Sequence, residues 1–111
     1  MKFKIILLLM VAFNIHTVFG QNTFKAVIKD SETKEPLIGA TAILSGTATG
    51  ATADINGLIT LINIPNGKQI IEFRYIGYEI RKDTFEFPLA TSDPIEIFLQ
   101  SETDELDEIV I

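Results

Sequence analysis

The sequence predicts an all-β protein, a seven-stranded antiparallel β-sandwich preceded by a targeting segment. Residues 24–100 contain no long run of helical period. They are instead made of short runs in which apolar and polar residues alternate, as in half-buried strands. Clusters of Gly, Pro, Asn, Asp and Ser separate these runs and are typical of turns. Strands of this number and spacing are expected of two packed sheets.

The first twenty residues predict a cleaved secretory signal peptide, residues 1–20. Two lysines near the start precede an apolar run from Ile5 to Phe13, and a small residue stands before the predicted cleavage between Gly20 and Gln21. Asn14 and His16 interrupt the apolar character, which argues against the alternative of a membrane anchor. We therefore expect an exported mature chain with a single small domain over residues 21–100.

The first half of this domain predicts three strands. The residues expected to face the core alternate with polar neighbours and are Phe24, Ala26 and Ile28 in the first strand and Ala40, Ala42 and Leu44 in the second. The connection "DSETKEP" between them ends on a proline, which cannot serve an interior ladder. A short third strand around Thr52 is followed by "DINGL", which predicts a tight turn with Gly57 at positive φ.

The second half predicts four more strands. The run from Leu58 to Ile64 is apolar on both faces, which indicates a strand inside the sandwich. After the turn "PNGK", one strand face carries Ile71, Phe73 and Tyr75. The stretch "EIRKDTFEF" and the alternating residues Ile95, Ile97 and Leu99 supply the last two strands.

Composition narrows the possible chemistry. The chain has no cysteine, and its single histidine, His16, lies in the predicted signal peptide. The mature protein thus lacks the two side chains that most often serve nucleophilic, general-base and zinc chemistry. We predict no catalytic, metal-binding or cofactor-binding residues, no cofactor, and a protein that is not an enzyme. The net charge of −6 excludes nucleic acid as an expected partner, and we expect a monomer.

Three groups of residues are candidate sites. The Asp54 turn has two positions of a calcium loop, but the apolar run after it supplies no further ligands, so a plain turn is favoured. Asp30, Glu32 and Glu35 are interpreted as a solvated connection. Tyr75 and Tyr78, in "RYIGYE", are a possible surface contact for a sugar or a protein, with a role in the core as the alternative.

Four sequence blocks resemble one known family, the carboxypeptidase regulatory-like domain. The blocks are "DSETKEPLIGATA", "GTATGATADINGL", "IPNG" and "FRYIGYE". The matching residues are Asp30, Thr33, Pro36, Leu37, Gly39, Gly46, Thr47, Gly50, Asp54, Gly57, Pro65, Gly67, Tyr75, Gly77 and Tyr78. The resemblance implies a transthyretin-like or prealbumin-like seven-stranded sandwich without catalytic activity. Three residues depart from the pattern: Ala26 for glycine, Ala53 for threonine and Ile59 for phenylalanine.

The remaining residues, 101–111, form an acidic linker that ends in the apolar triplet of "LDEIVI". The order of signal peptide, sandwich, acidic linker and such a motif resembles the N-terminus of SusC/RagA-like TonB-dependent receptors of the Bacteroidetes. There the motif is treated as the TonB box. By that resemblance the partner-binding residues are Leu106, Asp107, Glu108, Ile109, Val110 and Ile111.

Two functional hypotheses follow. The first is that the chain is a periplasmic fragment of an outer-membrane nutrient receptor, which binds the periplasmic domain of TonB and lacks the plug and barrel of the same receptor. Its location would be the periplasmic face of the outer membrane. The second is a free-standing exported sandwich that binds a glycan or a protein through the region of Tyr75 and Tyr78.

Overall fold

The computed structural model describes residues 22–102, in which every regular element is a strand. The strands are β1 (Asn22–Asp30), β2 (Thr41–Leu44), β3 (Gly50–Thr52), β4 (Leu58–Ile64), β5 (Gly67–Arg74), β6 (Arg81–Phe87) and β7 (Ile95–Leu99). The predicted signal peptide, with its cleavage between Gly20 and Gln21, and the predicted TonB-box-like residues, 106–111, lie outside this range and remain predictions.

The seven strands form two sheets, which confirms the predicted sandwich. One sheet has three strands in the order β4-β1-β7, and the other has four in the order β3-β2-β5-β6. β1 is therefore the central strand of the smaller sheet, and β2 and β5 are the inner strands of the larger one. Side chains from both sheets meet in a single apolar core.

One pairing corrects the prediction of an antiparallel sandwich. β1 and β7 run parallel, with Ala26 opposite Ile95 and Asp30 opposite Leu99. Parallel neighbours need a long connection, and here all five other strands lie between the two in sequence. Alternation of apolar residues is the same in parallel and antiparallel strands, so the sequence pattern could not distinguish them.

The predicted position of β4 inside the sandwich was also wrong, because this strand forms an edge of its sheet. Phe24 pairs with Leu61 but Asn22 pairs with Ile64, so β4 contains one residue more than β1 over this interval. That residue makes a bulge at Asn63, which has a φ of 60°. The bulge turns Ile64 inward and leaves Ile62 56% exposed, which explains a run that is apolar on both faces.

The predicted core residues of the first two strands are confirmed. Phe24, Ala26, Ile28, Ala40 and Ala42 are fully buried and Leu44 is nearly so. Phe24 lies at the centre of an aromatic cluster, with ring centroids 4.8 Å from Phe85, 6.2 Å from Phe73 and 6.3 Å from Phe87. Without disulfides to constrain the unfolded chain, this packing supplies most of the driving force for folding.

The turn before β4 is also confirmed. The Oδ1 atom of Asp54 accepts hydrogen bonds from the backbone N–H groups of Asn56, at 2.8 Å, and Leu58, at 3.0 Å. Gly57 has a φ of +78°, and a Cβ atom there would lie 2.8 Å from the carbonyl oxygen of Ile28. The carbonyl of Gly57 accepts a hydrogen bond from the N–H of Ile28, so this turn is fixed directly to β1. The Asp54 carboxylate thus caps a turn.

Two of the three departures from the family pattern face each other. Ala26 of β1 and Ile59 of β4 are register partners, and both are fully buried. Directly opposed residues of an antiparallel pair lie on the same face of the sheet with their Cβ atoms close together. An added methyl group at position 26 is therefore accommodated beside a smaller side chain at position 59.

This pairing predicts a measurable coupling. Ile59→Phe should lower the free energy of unfolding by about 1 to 3 kcal/mol, because the core has no room for the larger ring beside Ala26. The double variant Ala26→Gly/Ile59→Phe should lose less free energy of unfolding than the two single variants lose in sum. The difference, which is the coupling energy, should be about 0.5 to 3 kcal/mol. Urea unfolding followed by circular dichroism measures all of these values.

The matched control pairs Ala26→Gly with Ile71→Phe, since Ile71 is equally buried but belongs to β5 of the other sheet. Its coupling with position 26 should be smaller. Additive effects of the changes at positions 26 and 59 would contradict the compensation.

Candidate functional site

The Tyr75–Tyr78 turn joins β5 to β6 and is the most distinctive surface feature of the sandwich. The N–H of Tyr78 donates to the carbonyl of Tyr75 at 3.0 Å, and Gly77 has a φ of +84°. Glycine occupies the third residue of the turn, where a type II turn requires positive φ. The two tyrosine rings are 5.4 Å apart at an angle of 70°, an edge-to-face pair that packs against the core.

The Tyr78 hydroxyl connects this turn to the end of β1. It donates a hydrogen bond to Oδ2 of Asp30 at 2.5 Å. The other carboxylate oxygen, Oδ1, accepts from the backbone N–H groups of Glu32, at 2.7 Å, and Thr33, at 3.0 Å. Asp30 is the buried charged residue of the core region, 9% exposed. Its interpretation as part of a solvated connection was therefore wrong.

Hydrogen bonding explains how a carboxylate is tolerated there. The hydrogen bond from Tyr78, and after it the one from the Thr33 N–H, hold the pKa of Asp30 below its ordinary value of 3.8, against the opposing effect of burial. A carboxylate with three donors is stabilised in its charged form. The sequence contained a usable signal, since an Asp two residues before a turn position often accepts backbone N–H groups from that turn.

The chain that follows β7 is held against the same turn. The N–H of Glu79 donates to the carbonyl of Gln100 at 2.8 Å, and the N–H of Glu102 donates to the carbonyl of Gly77 at 2.9 Å. Tyr78 and Ser101 form an antiparallel bridge between these two contacts. Residues 100–102 thus act as a short additional strand, and they fix the point from which the acidic linker continues.

A shallow groove of about 660 Å³ opens beside the turn. Its lining is mostly apolar and aromatic, and consists of Gly39, Thr41, Arg74, Tyr75, Ile76, Tyr78, Ile80 and Glu102. Ile76 is 96% exposed and Ile80 is 54% exposed, although both are large hydrophobic side chains. The predicted contact residues, Tyr75 and Tyr78, are half-buried and form one wall. The two isoleucines, Arg74 and Glu102 were not predicted from the sequence.

The two charged residues that line the groove, Arg74 and Glu102, have different surroundings. Arg74 donates from Nε to Oε2 of Glu72 at 2.8 Å, and this guanidinium, with a smaller contribution from Lys82, lowers the pKa of the Glu72 carboxyl. The Arg74 side chain nevertheless remains 52% exposed. Glu102 is the acidic member of the lining and belongs to the start of the linker.

The groove has the character of a binding surface. Between residues 22 and 102, no group of three or more acidic or histidine side chains is placed to hold a metal ion. Over the same residues we find no helix with the length and apolar character needed to cross a membrane. An open, apolar groove with one exposed cation is the kind of surface that contacts a polypeptide.

Comparison with known proteins supports the sequence resemblance. A family model described as "CarboxypepD_reg-like domain" matches residues 24–111. The TonB-dependent receptor SusC of Bacteroides thetaiotaomicron is 34% identical over 113 aligned residues, which cover 98% of this chain and 10% of the receptor. The TonB-dependent receptor P39 of Formosa agariphila is 30% identical over 107 residues, covering 96% of this chain and 10% of that receptor.

The chain therefore spans about a tenth of the length of these curated relatives. Among solved structures, the group B streptococcus pilus 2b backbone protein aligns with a TM-score of 0.61 at 15% identity, covering 78% of this chain and 43% of that one. At this identity the alignment supports the β-sandwich fold alone.

The contact between Asp30 and Tyr78 predicts a pH-dependent stability. Tyr78→Phe should lower the free energy of unfolding at pH 7 by about 1.5 to 3 kcal/mol, the usual contribution of a hydrogen bond to a charged group. Because the pKa of Asp30 is lower in the folded than in the unfolded state, its stabilising effect is complete above pH 4 to 5 and is lost as the pH falls through the folded pKa. Thermal unfolding of both proteins between pH 2 and pH 7 tests this.

The difference between the two proteins should narrow below about pH 4. Tyr75→Phe is the matched control, since within residues 22–102 the Tyr75 hydroxyl makes no hydrogen bond, and its stability difference should not change with pH. A constant difference for Tyr78→Phe down to pH 2 would contradict the assignment.

Proposed function

The chain belongs to the CarboxypepD_reg-like domain family, and on that basis we propose that it is a non-catalytic periplasmic module of a TonB-dependent outer-membrane receptor. In this function the sandwich precedes the plug and barrel of the receptor, and the linker after it carries a strand that recruits TonB. The observation that carries the proposal is the similarity to receptors of this class over almost the whole chain, including the linker.

The arrangement of the last described residues supports a tethered strand. β7 ends at Leu99, and the contacts of Gln100 and Glu102 hold the start of the linker on the surface of the sandwich. Leu106 follows Glu102 by only four positions. The proposed recognition strand therefore begins close to a folded surface, and its position is restricted by a short tether.

Binding to TonB would occur by addition of this strand to an edge of a partner sheet. Each backbone hydrogen bond in such a pairing contributes about 0.5 to 1.5 kcal/mol, and alternate apolar side chains add burial. Ordering the six residues costs about 1 to 2 kcal/mol each in backbone entropy, so affinity depends on the side chains of Leu106 to Ile111 as well as on the backbone. The carboxylates of the linker favour a basic partner surface.

A second candidate function rests on the groove beside the Tyr75–Tyr78 turn. A free-standing interaction module would use this groove to bind an external protein or glycan. The edge-to-face contact of the two tyrosines favours a protein over a sugar, because stacking on a sugar ring needs an open aromatic face. Under this function the residues 106–111 have no role in binding.

Proline substitution in the linker separates the two functions. Ile109→Pro should abolish binding of the mature chain to a purified TonB periplasmic domain, because proline has no N–H group to pair with a partner strand. Isothermal titration calorimetry or a pull-down with the TonB domain measures this loss.

Thr103→Pro provides the matched control, since it places the same residue in the linker but outside the recognition strand. It should leave binding within about twofold, and Ile109→Val should bind like the unchanged chain, since it keeps the β-branched shape. Equal binding by the unchanged chain and the Ile109→Pro variant would exclude TonB recruitment by this strand. Binding of another protein that is lost in Ile76→Ser would favour the second function.

A further inference from the structure

We propose that the groove beside the Tyr75–Tyr78 turn binds the segment Leu106–Ile111 of the same chain, and so withholds this strand from other partners. Docking of the segment involves this chain alone and does not depend on TonB. Its regulatory consequence, competition with TonB, rests on the proposed function. The proposal follows from the apolar character of the groove, the position of the tether and the pattern of the segment.

The groove has an apolar surface that a monomeric sandwich would not be expected to expose. Ile76 stands at the tip of a turn with 96% of its surface exposed, where polar residues are usual. Ile80 and the two tyrosines extend this surface along one side. Isolated exposed hydrophobic residues are common, but two exposed isoleucines beside two half-buried tyrosines on one concave surface indicate a binding site.

The tether places the segment within reach of the groove. Glu102 itself lines the groove, and its N–H is bonded to the carbonyl of Gly77, next to Ile76. Leu106 is four residue steps from Glu102, a distance of at most about 14 Å when the chain is extended. A site so close to the tether gives the segment an effective concentration in the millimolar range, which makes even weak binding significant.

The sequence of the segment suits the lining. In an extended conformation Ile109 and Ile111 lie on the same face, so both can contact Ile76 and Ile80. The acids before them, Asp104 and Glu105, carry charge opposite to that of Arg74, whose side chain is half-exposed on the groove. Two other occupants are conceivable, a second copy of the chain or a separate protein. Neither would benefit from the short distance between the groove and Leu106, and the experiment below distinguishes them.

Disulfide trapping tests the docking directly, because the chain has no cysteine of its own. The variant Ile76→Cys/Ile109→Cys of the mature chain should form an intramolecular disulfide under mild oxidation, read as a monomer by mass spectrometry and non-reducing electrophoresis. Position 76 tolerates the change, since Ile76 contributes almost no burial.

The matched control is Ile55→Cys/Ile109→Cys. Ile55 is also an isoleucine in a turn, and it is 76% exposed. Its turn is hydrogen-bonded to Ile28, close to the end of β1 where Asp30 holds Tyr78. Preferential trapping at position 76 supports the docking. Equal trapping at both positions overturns it, and so does a disulfide-linked dimer, which would assign the groove to a second copy.

Tyrosine fluorescence gives a second readout without any introduced residue. The chain has no tryptophan and only two tyrosines, and both line the groove. Chain truncated after Glu102 should therefore show stronger quenching of tyrosine emission by acrylamide than the complete mature chain. Identical quenching in the two would contradict coverage of the groove by the segment.

The regulatory consequence has its own measurement. If the groove holds the segment for about nine-tenths of the time, the apparent affinity for TonB falls about tenfold. Ile76→Ser should then increase TonB affinity up to about tenfold, and Ile55→Ser should leave it unchanged. Trapping at position 76 without any TonB binding would refute the proposed function and leave the docking intact. TonB binding with no preference in trapping and no effect of Ile76→Ser would refute the docking alone.

Discussion

The candidate site depends on the hydrogen bonds that the Asp30 carboxylate accepts. Asp30 ends β1, the central strand of the smaller sheet, and it accepts hydrogen bonds from the following loop and from Tyr78. Because Tyr78 belongs to the connection between β5 and β6, the same carboxylate ties the two sheets together. Its position fixes one tyrosine of the groove, and through the bridge between Tyr78 and Ser101 it also fixes the start of the linker. The core supplies stability, whereas this contact supplies the geometry of the site.

Much of the fold could be predicted from local sequence, because burial of every second residue leaves a direct pattern. Phe24 and Ile28 show this pattern, and both are buried as expected. Features that depend on distant residues left no such pattern. The bulge at Asn63 and the parallel pairing of β1 with β7 depend on which strand lies alongside and in which register. The burial of Asp30 likewise depends on a hydroxyl group 48 residues away in sequence.

The candidate site was predictable only in part for the same reason. Tyr75 and Tyr78 were predicted as a possible surface contact because aromatic residues beside a glycine turn are distinctive in sequence. Ile76 and Ile80 were not, since an apolar residue next to a strand is ordinarily assigned to the core. The exposure of Ile76 follows from its place in the turn between Tyr75 and Tyr78. The groove is formed by a turn, a strand end and Glu102, which are separated in sequence, so no single stretch of sequence predicts it.

The parallel pairing of β1 with β7 has a mechanical consequence. β1 begins at Asn22, and β7 ends opposite Asp30, so the chain enters the sandwich at one end and leaves it at the other. Tension applied between these ends acts along both strands, in opposite directions on the two neighbours. The pairs from Ala26 and Ile95 to Asp30 and Leu99 are then sheared together and must break at once, instead of opening one after another as in an unzipped hairpin. A load along the length of the sandwich therefore meets these pairs in shear.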